Sequence, residues 1–368
     1  MSKPEIRSCL MSIKPYLPGK PIEEVERELG LTDVIKMASN ENPLGPSPRA
    51  IKAMRENLEK MHIYPDGNCF YLKQVLAEKL KVLPEQLIIG NGSDEILSIL
   101  TQAYVKPGDE AVMIAPTFSE YEFAMRIMDG MPCSVPLVGE DFSYDFDAIL
   151  GAINENTKVV FICSPNNPTG TIIRKKEFDH FIERLPEKVL LLMDQAYQEY
   201  VTDPEHPTGL DYIEKRYPII VLRTFSKIYG LAGLRVGYGV APVEIISELN
   251  RVREPFNVNA MAQAAAIAAV EDSDHVEHSR DLVRKGRKQL AEGLAELGFR
   301  VVPDEANFCF VDINTDSRPI FQALLRKGII IRTGDIFGFP NYIRITYGTA
   351  EQNSRFLAAF KEVLEECQ

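Results

Sequence analysis

Six short stretches of the chain carry side chains that could do chemistry together. Gly90 to Glu95 (GNGSDE) is a tight turn running into an amphipathic stretch. The free N–H groups and dipole of a helix that starts there make Ser93 and Asp94 a seat for a phosphate, and the structural alternative is capping by either residue alone. Pro116 to Tyr121 (PTFSEY) offers an aromatic face, Phe118 first and Tyr121 second, that could cover a flat ring or simply fill a core. Ser164 to Gly170 (SPNNPTG) carries Asn166 and Asn167 on a composition that by itself is that of a turn. Asp194, followed by Gln195, Ala196 and Tyr197, closes an apolar run, and a carboxylate in such a place needs a cationic or hydrogen-bonding partner. Arg223 to Lys227 (RTFSK) follows another run and brings Thr224, Ser226 and Lys227, and Gly230 to Gly239 (GLAGLRVGYG), the sixth, brings Arg235. A lysine in that position is either a surface charge or a buried amine.

Five of these stretches directly follow short apolar runs: LIIG at 87–90, AVMIA at 111–115, VVFIC at 159–163, VLLLM at 189–193 and IIVL at 219–222. Strands without polar alternation are buried on both faces, so the runs predict a mainly parallel sheet covered by helices, an α/β fold. Open parallel sheets collect their chemistry at the carboxyl ends of the strands, which is where these residues lie. From about His275 a charged amphipathic stretch reads as one long helix that Gly298 ends. FRVVP, FCFVDI, GIIIRT and YIRITYG then alternate with SRPIFQALLRKG, the pattern of a smaller α+β unit. The expected division is an N-terminal arm over 1–34, a large domain over 35–274 and a small C-terminal domain over 275–368.

Together the strand ends supply a phosphate seat, a ring cover, a polar turn, a carboxylate, a lysine and an arginine. This set suits a planar, phosphorylated, cationic heteroaromatic aldehyde joined to a lysine as a Schiff base, which is pyridoxal phosphate.

Composition limits the alternatives. The 368 residues are 45% hydrophobic and 26% charged, as in ordinary globular proteins, and 41 basic against 53 acidic residues leave a net charge of −12. That sign disfavours nucleic acid and anionic membrane surfaces as partners, while leaving room for small anions bound by local arginines. The six cysteines (Cys9, Cys69, Cys133, Cys163, Cys309 and Cys367) show no metal-ligand spacing and read as reduced thiols. No run approaches the roughly 18 apolar residues of a membrane span. The first residues have charge and proline where a signal peptide needs an apolar core, so a cytoplasmic location is expected. His275 and His278 sit three apart on the charged helix with no third ligand in view, and no metal is expected.

The chain resembles the fold-type I pyridoxal-phosphate-dependent aminotransferases, and among them the histidinol-phosphate aminotransferases. The resemblance runs from KPYLPGKP and ASNENPLGPSP through YPDG, GNGSDE, SPNNPTG, MDQAYQEY and TFSKIYGLAGLRVGY to PNYIRITYGT, nearly the whole chain. Any one motif is weak; their order and spacing are specific. The resemblance implies a large domain with a seven-stranded-type sheet, a small C-terminal domain and an N-terminal arm. It makes Lys227 the lysine that carries the cofactor and moves the proton, Asp194 the partner of the pyridine nitrogen, and Asn167 and Tyr197 the partners of the ring's O3′. Ser93, Asp94, Thr224, Ser226 and Arg235 would hold the cofactor phosphate, and Phe118 would stack on the ring. Tyr64 resembles the tyrosine that reaches the phosphate of a neighbouring subunit, which implies a homodimer with a shared active site.

By the same resemblance Arg344 binds the substrate's anionic group, with Arg332, Tyr16 and Asn42 near it. A guanidinium suits both the phosphate of histidinol phosphate and the carboxylate of glutamate or 2-oxoglutarate, the substrates the resemblance implies in histidine biosynthesis. An aromatic amino-acid aminotransferase or a threonine-phosphate decarboxylase of the same fold are the alternatives. Two departures concern substrate detail: Gln195 stands where glutamate is frequent, and Phe118 where tyrosine is frequent.

Overall fold

The apolar runs become strands because neither of their faces meets water. The computed structural model describes residues 4–13, 19–215 and 217–366; Tyr16 lies outside the described residues. Strands β1 (Ile35–Lys36), β2 (Leu87–Gly90), β3 (Glu110–Ala115), β4 (Met131–Pro136), β5 (Thr157–Cys163), β6 (Leu190–Asp194), β7 (Ile219–Thr224) and β8 (Gly237–Val240) are followed by β9 (Phe308–Asp312), β10 (Ile329–Ile330), β11 (Arg332–Thr333) and β12 (Tyr342–Thr346). Seven of them form one sheet in the order β2-β8-β7-β6-β5-β3-β4. Neighbours from β4 to β7 run parallel, and β8 runs antiparallel to both β7 and β2. This is the mainly parallel α/β architecture expected. Alternate residues of β5 point into two different cores, Val160 and Ile162 on one side and Val159 and Phe161 on the other, so helices cover both faces.

Two strands of this sheet have no apolar run to announce them. β4 is the edge strand MPCSVP, where only Val135 is buried and Pro132 is tolerated because one side needs no ladder bonds. β8 is GYGV, and its glycine is there for close approach: a Cβ on Gly237 would lie 2.5 Å from the backbone nitrogen of Ser93. The missing side chain lets the start of the helix Ser93–Tyr104 come down onto the sheet.

The long helix runs Ser273–Glu296, with the Asp272 carboxylate accepting from the His275 N–H at its start and Gly298 in the left-handed region (φ 86°) past its end. Behind it β11, β12 and β9 form an antiparallel sheet in that order. β1 pairs in parallel with β10, Ile35 opposite Ile329, and Val25, Val34 and Ala38 share a small core with Leu325 and Ile330. Residues 35–36, placed at the head of the large domain by sequence, are thus attached to the C-terminal unit. The Met37 carbonyl also accepts from the Thr346 N–H at 2.8 Å. The segment that follows is carried straight across to the ends of β5, β6 and β7.

Candidate active site

The strand ends converge on a cavity of about 280 Å³. Its wall includes Ser93 and Asp94 after β2, Phe118 after β3, Cys163 and Asn167 at the end of β5, Asp194 and Tyr197 at the end of β6, and Thr224, Ser226 and Lys227 at the end of β7. Arg235 comes from the turn before β8, and Arg332 and Arg344 come from β11 and β12 of the C-terminal sheet.

Lys227 is a buried amine. Its Nζ donates to the Ser39 carbonyl at 3.2 Å and lies 5.6 Å from the centre of the Tyr197 ring. Burial, with the Arg344 guanidinium adding to it, pulls its pKa down to about 8. A lysine held near neutrality is both nucleophile and proton carrier. Asp194 is buried as well, and burial raises its pKa to about 6 against the opposing pull of hydrogen bonds from the Tyr121 hydroxyl and the Ala196 N–H. Tyr197 packs edge-on against Phe308 and accepts from the Asn40 amide at 3.0 Å; burial pushes its phenol pKa up.

The cationic end of the cavity is built by register. Arg332 stands directly opposite Arg344 on the antiparallel pair β11–β12. Arg344 is buried, donating from Nη1 to Asn167 Oδ1 at 2.5 Å and from Nη2 to the Ala38 carbonyl at 2.6 Å, with the rings of Phe308 and Phe337 within 5.3 and 5.6 Å. Like charges facing each other across a ladder are unfavourable. Their common position on a cavity wall is the mark of an anion site. Arg235, also on the wall, pairs with the Asp94 carboxylate at 3.0 Å, half exposed, beside the Ser93 helix start. The cavity wall therefore carries three arginines together with a lysine, a carboxylate and an aromatic face.

The family of this chain follows from that geometry together with its relatives. The sequence profile of the aminotransferase class I and II family matches residues 32–360. The chain belongs to this family. It is 55% identical to the histidinol-phosphate aminotransferase of Moorella thermoacetica over 362 residues, covering 98% of this chain and 93% of the relative. It is 48% identical to that of Caldicellulosiruptor saccharolyticus, covering 97% and 99%. The crystal structure of histidinol-phosphate aminotransferase from Sinorhizobium meliloti in complex with pyridoxal-5′-phosphate superposes with a TM-score of 0.91 at 28% identity, over 100% of this chain and 99% of that one.

Within the aminotransferase cavity most of the described residues expected there from sequence meet, and Asn42 does not. Asn42 is absent from the cavity wall: its amide nitrogen donates to the Ile228 carbonyl at 2.8 Å and the Ser279 hydroxyl at 2.9 Å, and its oxygen accepts from the Leu44 N–H. It ties the arm to the Lys227 loop and the long helix rather than facing a substrate. Asn40, two residues earlier, takes the cavity position, held with φ 56° by bonds to Thr346 and Tyr197. Tyr64 lies outside the cavity, 80% exposed and stacked on Phe256 at 4.9 Å. Tyr16 falls outside the described residues. Between the two aromatic candidates the geometry separates the tasks, with Phe118 on the wall and Tyr121 behind it, edge-on at 5.7 Å. Ser39, Asn40 and Glu41 line the cavity although sequence reasoning passed over them. The ASNENP motif was the signal available, and its spacing does not say which asparagine turns inward.

Proposed function

We propose that this aminotransferase uses pyridoxal phosphate to exchange an amino group between L-histidinol phosphate and 2-oxoglutarate, giving imidazole-acetol phosphate and L-glutamate. The observation that carries the substrate reading is the facing pair Arg332 and Arg344 on the cavity wall. Bidentate guanidinium groups accept a phosphate and a carboxylate alike, so one site can serve both half-reactions. The donor set also suits the cofactor: a buried carboxylate for a protonated ring nitrogen, an aromatic face for the ring, a helix start with Arg235 for its phosphate, and a buried amine for its aldehyde.

When bound, pyridoxal phosphate supplies the aldehyde that takes up the amino group and the ring that accepts an electron pair from the substrate's α-carbon. The protein's part is to hold and to move protons. Asp194 would pair with the ring nitrogen. Asn167 and Tyr197 would offer hydrogen bonds to the ring's O3′, and Phe118 would stack on the ring. Ser93, Asp94, Thr224, Ser226 and Arg235 would hold the cofactor phosphate. Lys227, its pKa pulled down to about 8, would take the proton from the substrate's α-carbon and act as the acid that returns it. Arg344 and Arg332 fix the anionic end of the substrate so that this proton stays within the lysine's reach.

The test compares kcat/KM for histidinol phosphate with that for phenylalanine and tyrosine, each with 2-oxoglutarate. Histidinol phosphate should be preferred. A preference for the aromatic amino acids by more than tenfold would overturn the substrate assignment.

We further infer a homodimer in which Tyr64 completes the partner's site. Tyr64, Phe70, Tyr71, Ile63 and Phe256 are exposed in one chain, an aromatic surface that a second copy would cover. Sedimentation should give a dimer, and Tyr64→Ala should weaken cofactor binding although Tyr64 does not touch its own cavity. A monomer with full affinity would refute this.

A further inference from the structure

We propose that Tyr121 is a positioning residue for the cofactor: its hydroxyl holds Asp194 charged and turned so that the carboxylate meets a ring nitrogen in the cavity. The inference rests on pyridoxal phosphate being the group that binds there.

Tyr121 leaves the helix Glu120–Ile127 and is 1% exposed. Its ring lies against Phe161, centres 5.2 Å apart and planes 6° from parallel, and takes Phe118 edge-on. Clamped on both sides, the phenol has one place to put its hydroxyl, 2.7 Å from Asp194 Oδ2. The other oxygen, Oδ1, accepts from the Ala196 N–H at 2.9 Å. An ionised carboxylate has about four acceptor positions. Two are filled from the protein side, and Asp194 still lines the cavity.

Packing alone would be served equally by a phenylalanine, so the hydroxyl is the feature that needs a reason. A buried phenol seeks a partner, and this one has found Asp194, a buried carboxylate on the cavity wall. The groups facing Asp194 act in both directions. Burial opposes its charge, as does the carboxylate of Asp94, while Tyr121, the Ala196 N–H and Lys227 favour it. Cys163 and Tyr197 stand close by, and both would repel Asp194 if they ionised, but burial keeps each of them protonated. Tyr121 is thus the side-chain donor that holds the charge, and it also backs Phe118, which covers the ring.

The test is Tyr121→Phe, which removes only the hydroxyl, read on protein loaded with pyridoxal phosphate labelled with ¹⁵N in the ring. Losing a donor to its charged form makes Asp194 a stronger base. The proton it shares with the ring nitrogen then moves toward the carboxylate, and the ¹⁵N signal of Y121F should shift toward that of neutral pyridine. The acid limb of cofactor affinity against pH should move up by about one unit. Phe118→Leu, which disturbs the ring cover and leaves the hydroxyl, should weaken affinity with an unchanged ¹⁵N signal. A Y121F signal identical to wild type, or the same shift in Phe118→Leu, would overturn the inference. A wild-type protein that takes up no cofactor would instead overturn the reading on which it rests.

Discussion

Arg344 Nη1 donates to Asn167 Oδ1 at 2.5 Å, and this bond joins the C-terminal sheet to the turn after β5. With the second bond to the Ala38 carbonyl it also clamps the segment that crosses from β1. The guanidinium that should receive the substrate anion is therefore already fixed by two elements, and an incoming phosphate or carboxylate meets a donor that needs no reorganisation. Lysine keeps the charge but not the planar fork. Arg344→Lys should raise KM for both amino donor and 2-oxoglutarate by at least about tenfold, the loss of one charge-assisted bidentate contact. Steady-state kinetics with each substrate varied in turn checks this, and a change for only one substrate would mean that the two anions use different sites.

Lys227 should be neutral at a pH where an exposed lysine is still charged, because burial and Arg344 both disfavour its ammonium form. The rate at which cofactor-free protein captures pyridoxal phosphate should rise with pH to a midpoint near 8. Arg344→Gln removes a positive neighbour, so the ammonium is less disfavoured and the midpoint should move to higher pH. Stopped-flow absorbance across pH 6.5 to about 10 reads both curves.

His206 should make the protein acid-sensitive. Its ring is buried, with Nε2 3.0 Å from Gln198 Oε1, and burial lowers its pKa from 6.5 to about 4. A depressed folded-state value means that the unfolded chain binds more protons between those limits. The stabilising effect is complete above the unfolded value and is lost as pH falls toward 4, on the order of 3 kcal/mol in all. Asp194 and Asp304, raised to about 6 and about 7, act in the opposite sense over an overlapping range. Urea unfolding of wild type and His206→Gln at pH 7 and pH 5 isolates the histidine: the wild-type advantage should shrink at pH 5.

Gly170 ends the SPNNPTG turn with φ 78°, and a Cβ there would meet the Cβ of Asp304 at 2.4 Å. Asp304 cannot yield, since it accepts from the Tyr347 hydroxyl at 2.6 Å and Arg287 Nε at 3.2 Å. Gly170→Ala should cost about 2 kcal/mol or more, from backbone strain and overlap together, and lower Tm accordingly.

What the sequence discloses is uneven, for physical reasons. The five apolar runs announce their strands because burial on both faces calls for apolar residues at every position, and each run ends beside a residue of the site. β4 and β8 leave no such trace, the first because an edge strand has one wet side and the second because Gly237 serves a helix packed against it. The long helix is legible from its amphipathic period and from Gly298. The pairing of β1 with β10 is not, since two residues carry no period and the partner lies nearly 300 positions away in the chain. Lys227, Asp194, Asn167 and Arg344 are legible as a set through motif order. Which of Asn40 and Asn42 faces the cavity is decided by a left-handed backbone at Asn40 that composition does not reveal.

The attachment point of the cofactor bears on everything else proposed for this site. Protein loaded with pyridoxal phosphate, reduced with borohydride and digested should carry the added pyridoxyl-phosphate mass on the peptide containing Lys227, and Lys227→Ala protein should be colourless and carry none. Label on another lysine, or Lys227→Ala protein that transaminates as fast as wild type, would contradict the account.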